Sequence, residues 1–172
     1  MDLFRAAERM MAMDDGVWLR HANPWSGWSR MVILPMFCLA VWSRVWIGWG
    51  ALVPIALVLV WIWWNPRAFA PPHRFDAWMT KGVFGERIFI EHRDRIAPHH
   101  LRAAKVLSLM SVPGGLIMLW GLWMLWWEGA VFGMLLCVLP KIWFVDRMAW
   151  IFDDWERAGL LVPGMAQGET DV

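Results

Sequence analysis

The histidines are the residues of this chain best suited to metal chemistry. All of them lie outside the long apolar runs, and His92, His99 and His100 are close together in the sequence. Asp146 and Asp153 follow the last apolar run at about helical spacing. Neutral imidazoles beside carboxylates form the ligand sets of zinc and non-haem iron. These five residues are the predicted metal ligands, and Asp154 is a further carboxylate that could face the same region. The favoured interpretation is that the histidines are solvated and pair with carboxylates or lipid phosphates.

Other catalytic motifs are missing from the sequence. It has no Gly-x-Ser-x-Gly elbow, no phosphate-binding loop, no Cys-x-x-Cys pair and no tyrosine. The histidines also lack the His-x-x-x-His and His-x-x-His-His boxes of membrane desaturases and hydroxylases. The sequence therefore predicts no catalytic residue and no cofactor.

The composition indicates a bilayer as the environment of this chain. Hydrophobic residues make up 59% of it, charged residues only 18%, and there are 17 tryptophans. A net charge of +1 argues against a nucleic-acid partner, which would need a basic face. Cys38 and Cys137 lie inside apolar runs, so we interpret them as packing residues. The acidic N-terminal stretch is unlike a cleaved signal peptide, so the first helix is expected to remain in the mature protein.

Four apolar segments can be distinguished, at about residues 28–43, 46–64, 106–127 and 129–145. A helix of about 19 residues is roughly 28 Å long, close to the thickness of the hydrocarbon layer. The predicted fold is therefore all-α, with about four transmembrane helices in two hairpins and additional amphipathic interfacial helices. The predicted divisions are a cytoplasmic amphipathic N-terminal segment, a transmembrane hairpin, a basic cytoplasmic loop, a second hairpin, and a cytoplasmic C-terminal helix and tail, at 1–27, 28–64, 65–105, 106–145 and 146–172.

The positive charges predict how these segments are oriented. Arg30 and Lys141 lie near the ends of their apolar runs and are counted with the segments beside them. Counted in this way from the N-terminus, the five segments carry 4, 1, 8, 0 and 3 lysines and arginines. Because cytoplasmic connections are the ones enriched in lysine and arginine, both termini and the central loop are predicted to be cytoplasmic. Arg44 and Glu128 then mark two short outer turns.

Gly129 and Gly133 form a Gly-x-x-x-Gly element in the last apolar run. Such an element lets two helices approach closely, either within one chain or between two copies. We predict that these glycines pack against another helix. The sequence does not decide whether that helix belongs to the same chain or to a second copy.

Three sequence blocks lie beside the apolar runs: His21-Ala-Asn-Pro-Trp-Ser-Gly-Trp-Ser-Arg30, then Asn65-Pro-Arg-Ala-Phe69 with Trp78 and Gly85-Glu-Arg87, then Asp146-Arg-Met-Ala-Trp150. With these blocks, the chain resembles a family of small prokaryotic integral membrane proteins of unknown function. The resemblance covers about residues 20–155 and implies no activity. Physically, the blocks predict a polar rim at the cytoplasmic interface, formed by His21, Asn23, Arg30, Asn65, Arg67, Glu86, Arg87, Asp146 and Arg147.

The favoured function is a non-enzymatic accessory, assembly or scaffold component in the inner membrane of a prokaryote. Its partners would be membrane lipids, with other membrane proteins or a second copy of the chain as alternatives, and no nucleic acid. A metal-dependent membrane enzyme with a cytoplasmic histidine and aspartate site is the first alternative. A small transporter or lipid-binding protein is the second.

Overall fold

The structure is a computed structural model of the 172-residue chain, and it describes residues 10–163. Within that range the chain forms α-helices and short 3-10 turns and no β-strand, so the predicted all-α class is confirmed. The helices are α1 (Asp15–His21), α2 (Pro24–Met31), α3 (Ile33–Trp42), α4 (Arg44–Ile47), α5 (Leu52–Trp64), α6 (Trp78–Glu91), α7 (Pro98–Met124) and α8 (Trp127–Arg157).

The two longest helices, α7 and α8, form a tightly packed hairpin. The chain reverses at Leu125, whose φ of 56° is left-handed, and the amide of Trp126 donates to the carbonyl of Gly121 over 2.8 Å. A Cβ atom added at Gly114 would lie 2.8 Å from the backbone of Leu136, and one added at Gly133 would overlap the backbone of α7. The absence of side chains at these glycines therefore lets the two backbones come together.

The apolar stretch before them folds into a second, looser hairpin. Its turn consists of α4 and the 3-10 turn Gly48–Ala51, and Gly48 has a φ of 54° that favours glycine. The helices on either side, α3 and α5, lie next to each other. Met36 and Leu39 of α3 line a shared groove together with Leu57 and Trp61 of α5.

By length and composition, three helical stretches are apolar enough to cross a membrane: Pro24–Arg67, Pro98–Met124 and Trp127–Arg157. The predicted count of four crossings is not confirmed. The first stretch contains both arms of the looser hairpin, and α3 with its 10 residues is only about 15 Å long. That is about half of the hydrocarbon thickness, so α3 must be extended by α2 to cross. A fourth crossing stays a prediction.

The main core lies at the end of the molecule opposite the two turns. Here α6 packs against the C-terminal half of α8, and Phe84, Ile88, Met148 and Phe152 are almost completely buried. Gly85 allows this approach, because a Cβ atom there would overlap the carbonyl of Met148. The sequence predicted a basic cytoplasmic loop at 65–105. Within that range the structure forms α6 as a core helix, and neighbouring helices cover most of its length.

Ion pairs close this end of the fold. Lys81 of α6 contacts Asp153 of α8 at 2.7 Å. Arg87 bonds both Glu91, at 2.8 Å, and Asp15 of α1. Burial by itself would lower the pKa of Arg87, but the bonds to Glu91 and Asp15 outweigh it and raise that pKa. Arg87 therefore stays charged and ties α1 to α6.

Candidate functional site

A chain of buried hydrogen bonds joins the first two sequence blocks. Arg30 Nη1 lies 2.8 Å from His21 Nε2, and His21 Nδ1 lies 2.8 Å from Ser26 Oγ. The Ser26 hydroxyl donates to Asn65 Oδ1 over 2.9 Å, and Asn65 Nδ2 donates to Ser29 Oγ over 2.6 Å. These bonds connect α1 and α2 to the residue that follows α5. The start and the end of the first hairpin are thus joined at its base.

The direction of these hydrogen bonds determines the protonation state of His21. Arg30 can only donate, so His21 Nε2 must accept, and the ring proton must be on Nδ1. Nδ1 then donates to Ser26, whose own hydrogen goes to Asn65. A doubly protonated ring would place a second donor against the guanidinium. The network therefore requires the neutral imidazole.

The surroundings of His21 favour the same neutral form. The side chain is 4% exposed, and burial is the main cause that holds its pKa well below the ordinary value, followed by the positive charges of Arg30 and Lys141. Burial disfavours the charged form of a group that loses its water. His21 is therefore an uncharged acceptor that orients the Arg30 guanidinium.

Local helix signals place these residues. The Asp14 carboxylate caps the start of α1 by accepting from the amide of Val17 at 2.8 Å, and His21 is the last residue of that helix. Asn23 caps α2 by accepting from the amide of Trp25 at 3.0 Å. The Asn23 amide group also donates to the carbonyl of Ala70, 2.9 Å away. Two short capped helices in succession thus fold the first block back on itself.

The polar network opens into a cavity of about 280 Å³. The cavity lies between the first hairpin on one side and α6 and α8 on the other. Its polar wall consists of His21, Arg30, Glu86 and Lys141, and its remaining wall is mostly apolar, with Met31, Ile33, Leu34, Ile62, Met79, Val83 and Val145. Lys141 Nζ lies 3.7 Å from Glu86 Oε1, which is an ion pair beyond hydrogen-bond length. The lining of the cavity therefore has a polar part and a larger apolar part.

The other predicted rim residues lie apart from this cavity. Arg67 covers the Trp63 ring at 4.2 Å and donates to the carbonyls of Met11 and Ala12. Arg87 holds Asp15 and Glu91, as described above. Asp146 accepts from the indole of Trp78 at 3.0 Å, and Arg147 lies over the Trp150 ring at 5.0 Å. The structure thus brings His21, Arg30, Asn65 and Glu86 to the cavity and its network, while Asn23 caps α2 and the remaining rim residues make other contacts.

A second polar cluster joins the start of α7 to the end of α8. His100 Nε2 lies 2.9 Å from an oxygen of Asp154, and the rings of His99 and His100 are 4.1 Å apart between centroids. One ligand atom from each of His99, His100 and Asp154 lies within 4.8 Å of the others. Two imidazoles and a carboxylate are an acceptable donor set for zinc, with positions left for water or substrate.

The structure does not place the other predicted metal ligands in this cluster. His92 stacks on Trp155 with ring centroids 5.2 Å apart. Asp146 is held by Trp78, and Asp153 is paired with Lys81 at 2.7 Å. The carboxylate that joins the histidines is instead Asp154, which the sequence placed near the histidines but not among the predicted ligands. Asp153 and Asp154 point about 100° apart around the helix, so the choice depends on how α8 is rotated.

The predicted packing glycines face this chain's own residues. Gly133 lies against Met118 and Gly114 of α7, and Gly129 lies under the ring of Trp126 in the turn. Sequence reasoning did not select Ser26, Ser29 or Lys141 for the site. The two serines are three residues apart within the first block, which is a signal for one helix face. Lys141 is a lone cation in an apolar run, which is a signal for function in a membrane helix.

Comparison with known proteins gives a family but no activity. The model of a family of unknown function (DUF6653) matches residues 5–166. No curated protein and no solved structure matches this chain. The resemblance to a family of unknown function is confirmed at that level, while its prokaryotic and membrane character stays a prediction. Because the match spans nearly all of the sequence, the chain belongs to the DUF6653 family.

Proposed function

We propose that this chain is a multi-pass membrane protein that acts as a non-enzymatic accessory, assembly or scaffold component. The observation that carries the proposal is the surface of the two hairpins. Large apolar side chains project from all four long arms and are mostly exposed, for example Leu39 at 64%, Leu57 at 64%, Leu116 at 65% and Leu139 at 61%. Exposed apolar surface of this extent needs lipid or a partner protein to cover it.

The proposed topology has four crossings with both termini and the loop 65–105 in the cytoplasm. Arg44, in the turn of the first hairpin, donates to the carbonyls of Leu122 and Trp123 at the end of α7. This bond puts both turns at one end of the molecule, as two outward hairpins require. The loop with eight lysines and arginines lies at the other end, in agreement with the positive-inside rule.

The polar end supports a structural role more than a catalytic one. Its charged groups are engaged with one another, as in the pairs of Lys81 with Asp153 and Arg87 with Glu91. The His21 network likewise joins helices at the base of the hairpin. Such connections hold a scaffold together and leave the apolar flanks available for helices of other proteins.

Labelling of single cysteines tests the topology. Trp49→Cys at the turns and Leu161→Cys at the opposite end are both well exposed, at 88% and 85%, and Cys38 and Cys137 would be replaced by alanine. A membrane-impermeant maleimide applied to intact cells should label position 49 and reach position 161 only after lysis. Labelling of both positions, or the reverse pattern, would contradict the proposed topology. Protein that purifies only as a partner-free monomer would contradict the scaffold role.

A metal-dependent membrane enzyme is the second candidate, and His99, His100 and Asp154 are the observation in its favour. Elemental analysis of the purified protein tests it directly. A bound metal that is lost in His100→Gln and retained in the matched control His92→Gln would support the enzyme and argue against the scaffold. Protein without stoichiometric metal after growth in zinc and iron would reject it.

A further inference from the structure

The cavity beside His21 has an excess of positive charge. Arg30 and Lys141 contribute two cations and Glu86 contributes one carboxylate, while the hydrogen bonds around His21 require its neutral form. The polar end of the cavity therefore carries a net charge of about +1. In the part of the chain that the structure describes, the side chain of Arg30 has one hydrogen-bond partner, His21, which leaves further guanidinium donors for a ligand.

The shape of the cavity fits one part of a larger ligand. A volume of about 280 Å³ is near the lower end for small-molecule sites, which begin at roughly 300 Å³. Ile33 and Leu34 of α3 and Ile62 of α5 form its apolar side, and these helices continue outward as exposed apolar surface. A polar head thus fits inside, while an attached apolar chain has a continuous path along the first hairpin.

We propose that this cavity binds the headgroup phosphate of an anionic phosphodiester lipid. The proposal rests on the proposed membrane function, because it needs the cavity to lie at the level of the headgroups. Arg30 provides a planar fork that matches two phosphate oxygens, and Lys141 provides a second positive charge. A phosphodiester with a single negative charge balances the net charge of the cavity. A dianionic phosphomonoester would carry one charge too many beside Glu86.

His21 is a positioning residue in this site. By accepting from Nη1, it holds the guanidinium of Arg30 in one orientation, with Ser26 and Asn65 fixing the ring from behind. A guanidinium that is held in place before binding loses less entropy when the phosphate arrives. We expect His21→Ala to weaken lipid binding through Arg30, while His21→Gln, which can still accept a hydrogen bond, restores part of it.

Calorimetric titration of the full chain in a non-ionic detergent tests the proposal. The probes are short-chain phosphatidylglycerol, short-chain phosphatidylcholine and inorganic phosphate. Phosphatidylglycerol should bind at least tenfold more tightly than either of the others. Equal binding of phosphatidylcholine would refute the charge argument, and inorganic phosphate that binds as tightly as the lipid would identify a free-phosphate site and overturn the lipid proposal.

Variants connect the binding to the named residues. Arg30→Gln should lower the affinity for phosphatidylglycerol at least tenfold, Arg30→Lys should lower it less, and the surface control Arg74→Gln should leave it unchanged. Lys141→Gln, at a half-exposed side chain, covers the case in which Arg30→Gln fails to fold, and we expect a loss of about threefold or more. Wild-type affinity in either pocket variant would overturn the proposal. Cysteine labelling of the same variants reports topology independently, so a failure of lipid binding is distinguishable from a failure of the membrane function.

Discussion

The two helical hairpins of this protein are similarly apolar but are packed very differently. Between α7 and α8, the contact is made by small residues, and Gly114, Gly121 and Gly133 are buried against the opposite backbone. Between α3 and α5, the buried residues are few, namely Ala40 and Val58, together with Ala51 in the turn. A groove of about 540 Å³ remains between these two helices.

The difference shows that hydrophobicity and packing are separate properties of an apolar helical sequence. Apolar side chains decide which helices leave water, since lipid and protein interiors are equally apolar. Small residues decide which of these helices touch. The first hairpin lacks glycines in its arms. Leu34, Cys38, Val41 and Trp42 pack against the second hairpin, and polar bonds hold the first hairpin at its two ends. Those bonds are the Asn65 network at the base and Arg44 at the turn.

The largest expected effect is a substitution in the tightly packed hairpin. Gly133→Leu should destabilise the protein by about 3 kcal/mol, because an overpacked helix contact forces backbones apart. Ala56→Leu is the matched control in the first hairpin, at an exposed position of α5, where we expect a change within about 0.5 kcal/mol. Unfolding free energies in detergent mixtures provide the measurement. Equal effects at the two sites would mean that the hairpins are not packed differently.

The next largest effect concerns the base of the first hairpin. Asn65 is completely buried and bonds to both Ser26 and Ser29. We expect Asn65→Ala to cost about 2 kcal/mol, because the buried Ser26 hydroxyl loses its acceptor and the Ser29 hydroxyl loses a donor. The control is Ser108→Ala in the second hairpin, where the hydroxyl bonds only to Ala104 of its own helix and about 0.5 kcal/mol is expected. An unchanged stability of Asn65→Ala would show that the network does not hold the hairpin.

Acidification should destabilise the fold at the same place, the base of the first hairpin. The folded-state pKa of His21 is lowered, by burial first and then by Arg30 and Lys141. On acidification, His21 is therefore protonated in the unfolded chain before it is protonated in the folded chain. Stability is then retained above the unfolded pKa of about 6.5 and falls as the pH drops below it.

The contribution of His21 to the slope of the unfolding free energy against pH should be about 1.4 kcal/mol per pH unit at most. Melting curves between pH 7.5 and pH 5 measure it. The comparison of wild type with His21→Gln isolates the contribution of His21, since Glu86 and the other groups around the cavity are common to both. A profile that is identical in the variant would exclude His21 as the cause.

The smallest expected effect is at the turns. Arg44→Gln removes a cation that caps the C-terminal carbonyls of α7, which should cost about 1 kcal/mol. The exposed Arg102 provides a control, since Arg102→Gln removes the same charge at the opposite end of α7. Hydrogen exchange at the turn 43–51 should increase in Arg44→Gln only. Equal exchange in the two variants would mean that Arg44 does not hold the turn of the first hairpin against the second hairpin.

Local residue types determined much of this protein. The composition and the apolar runs predicted an all-α chain with helices suited to a membrane, and the residues between the runs predicted the polar end. The start of α7 at Pro98 follows from local chemistry, because proline fits the first helical position. Likewise, Asn23 before Pro24 predicts a helix cap. Each of these properties depends on a few neighbouring residues, so it can be read without the fold.

Only the tertiary structure decided which polar residues meet. The rotation of α8 puts Asp154 rather than Asp153 beside His100, and it turns Lys141 toward Glu86 and the cavity. The folding of the first hairpin brings Asn65 to Ser26, 39 positions away in the sequence. These contacts depend on which helix faces are buried, and small residues such as Gly85 and Gly27 set those faces through contacts with distant backbone or side chains. The residue pattern of a single helix shows its period but does not show how that helix is rotated against a neighbouring helix.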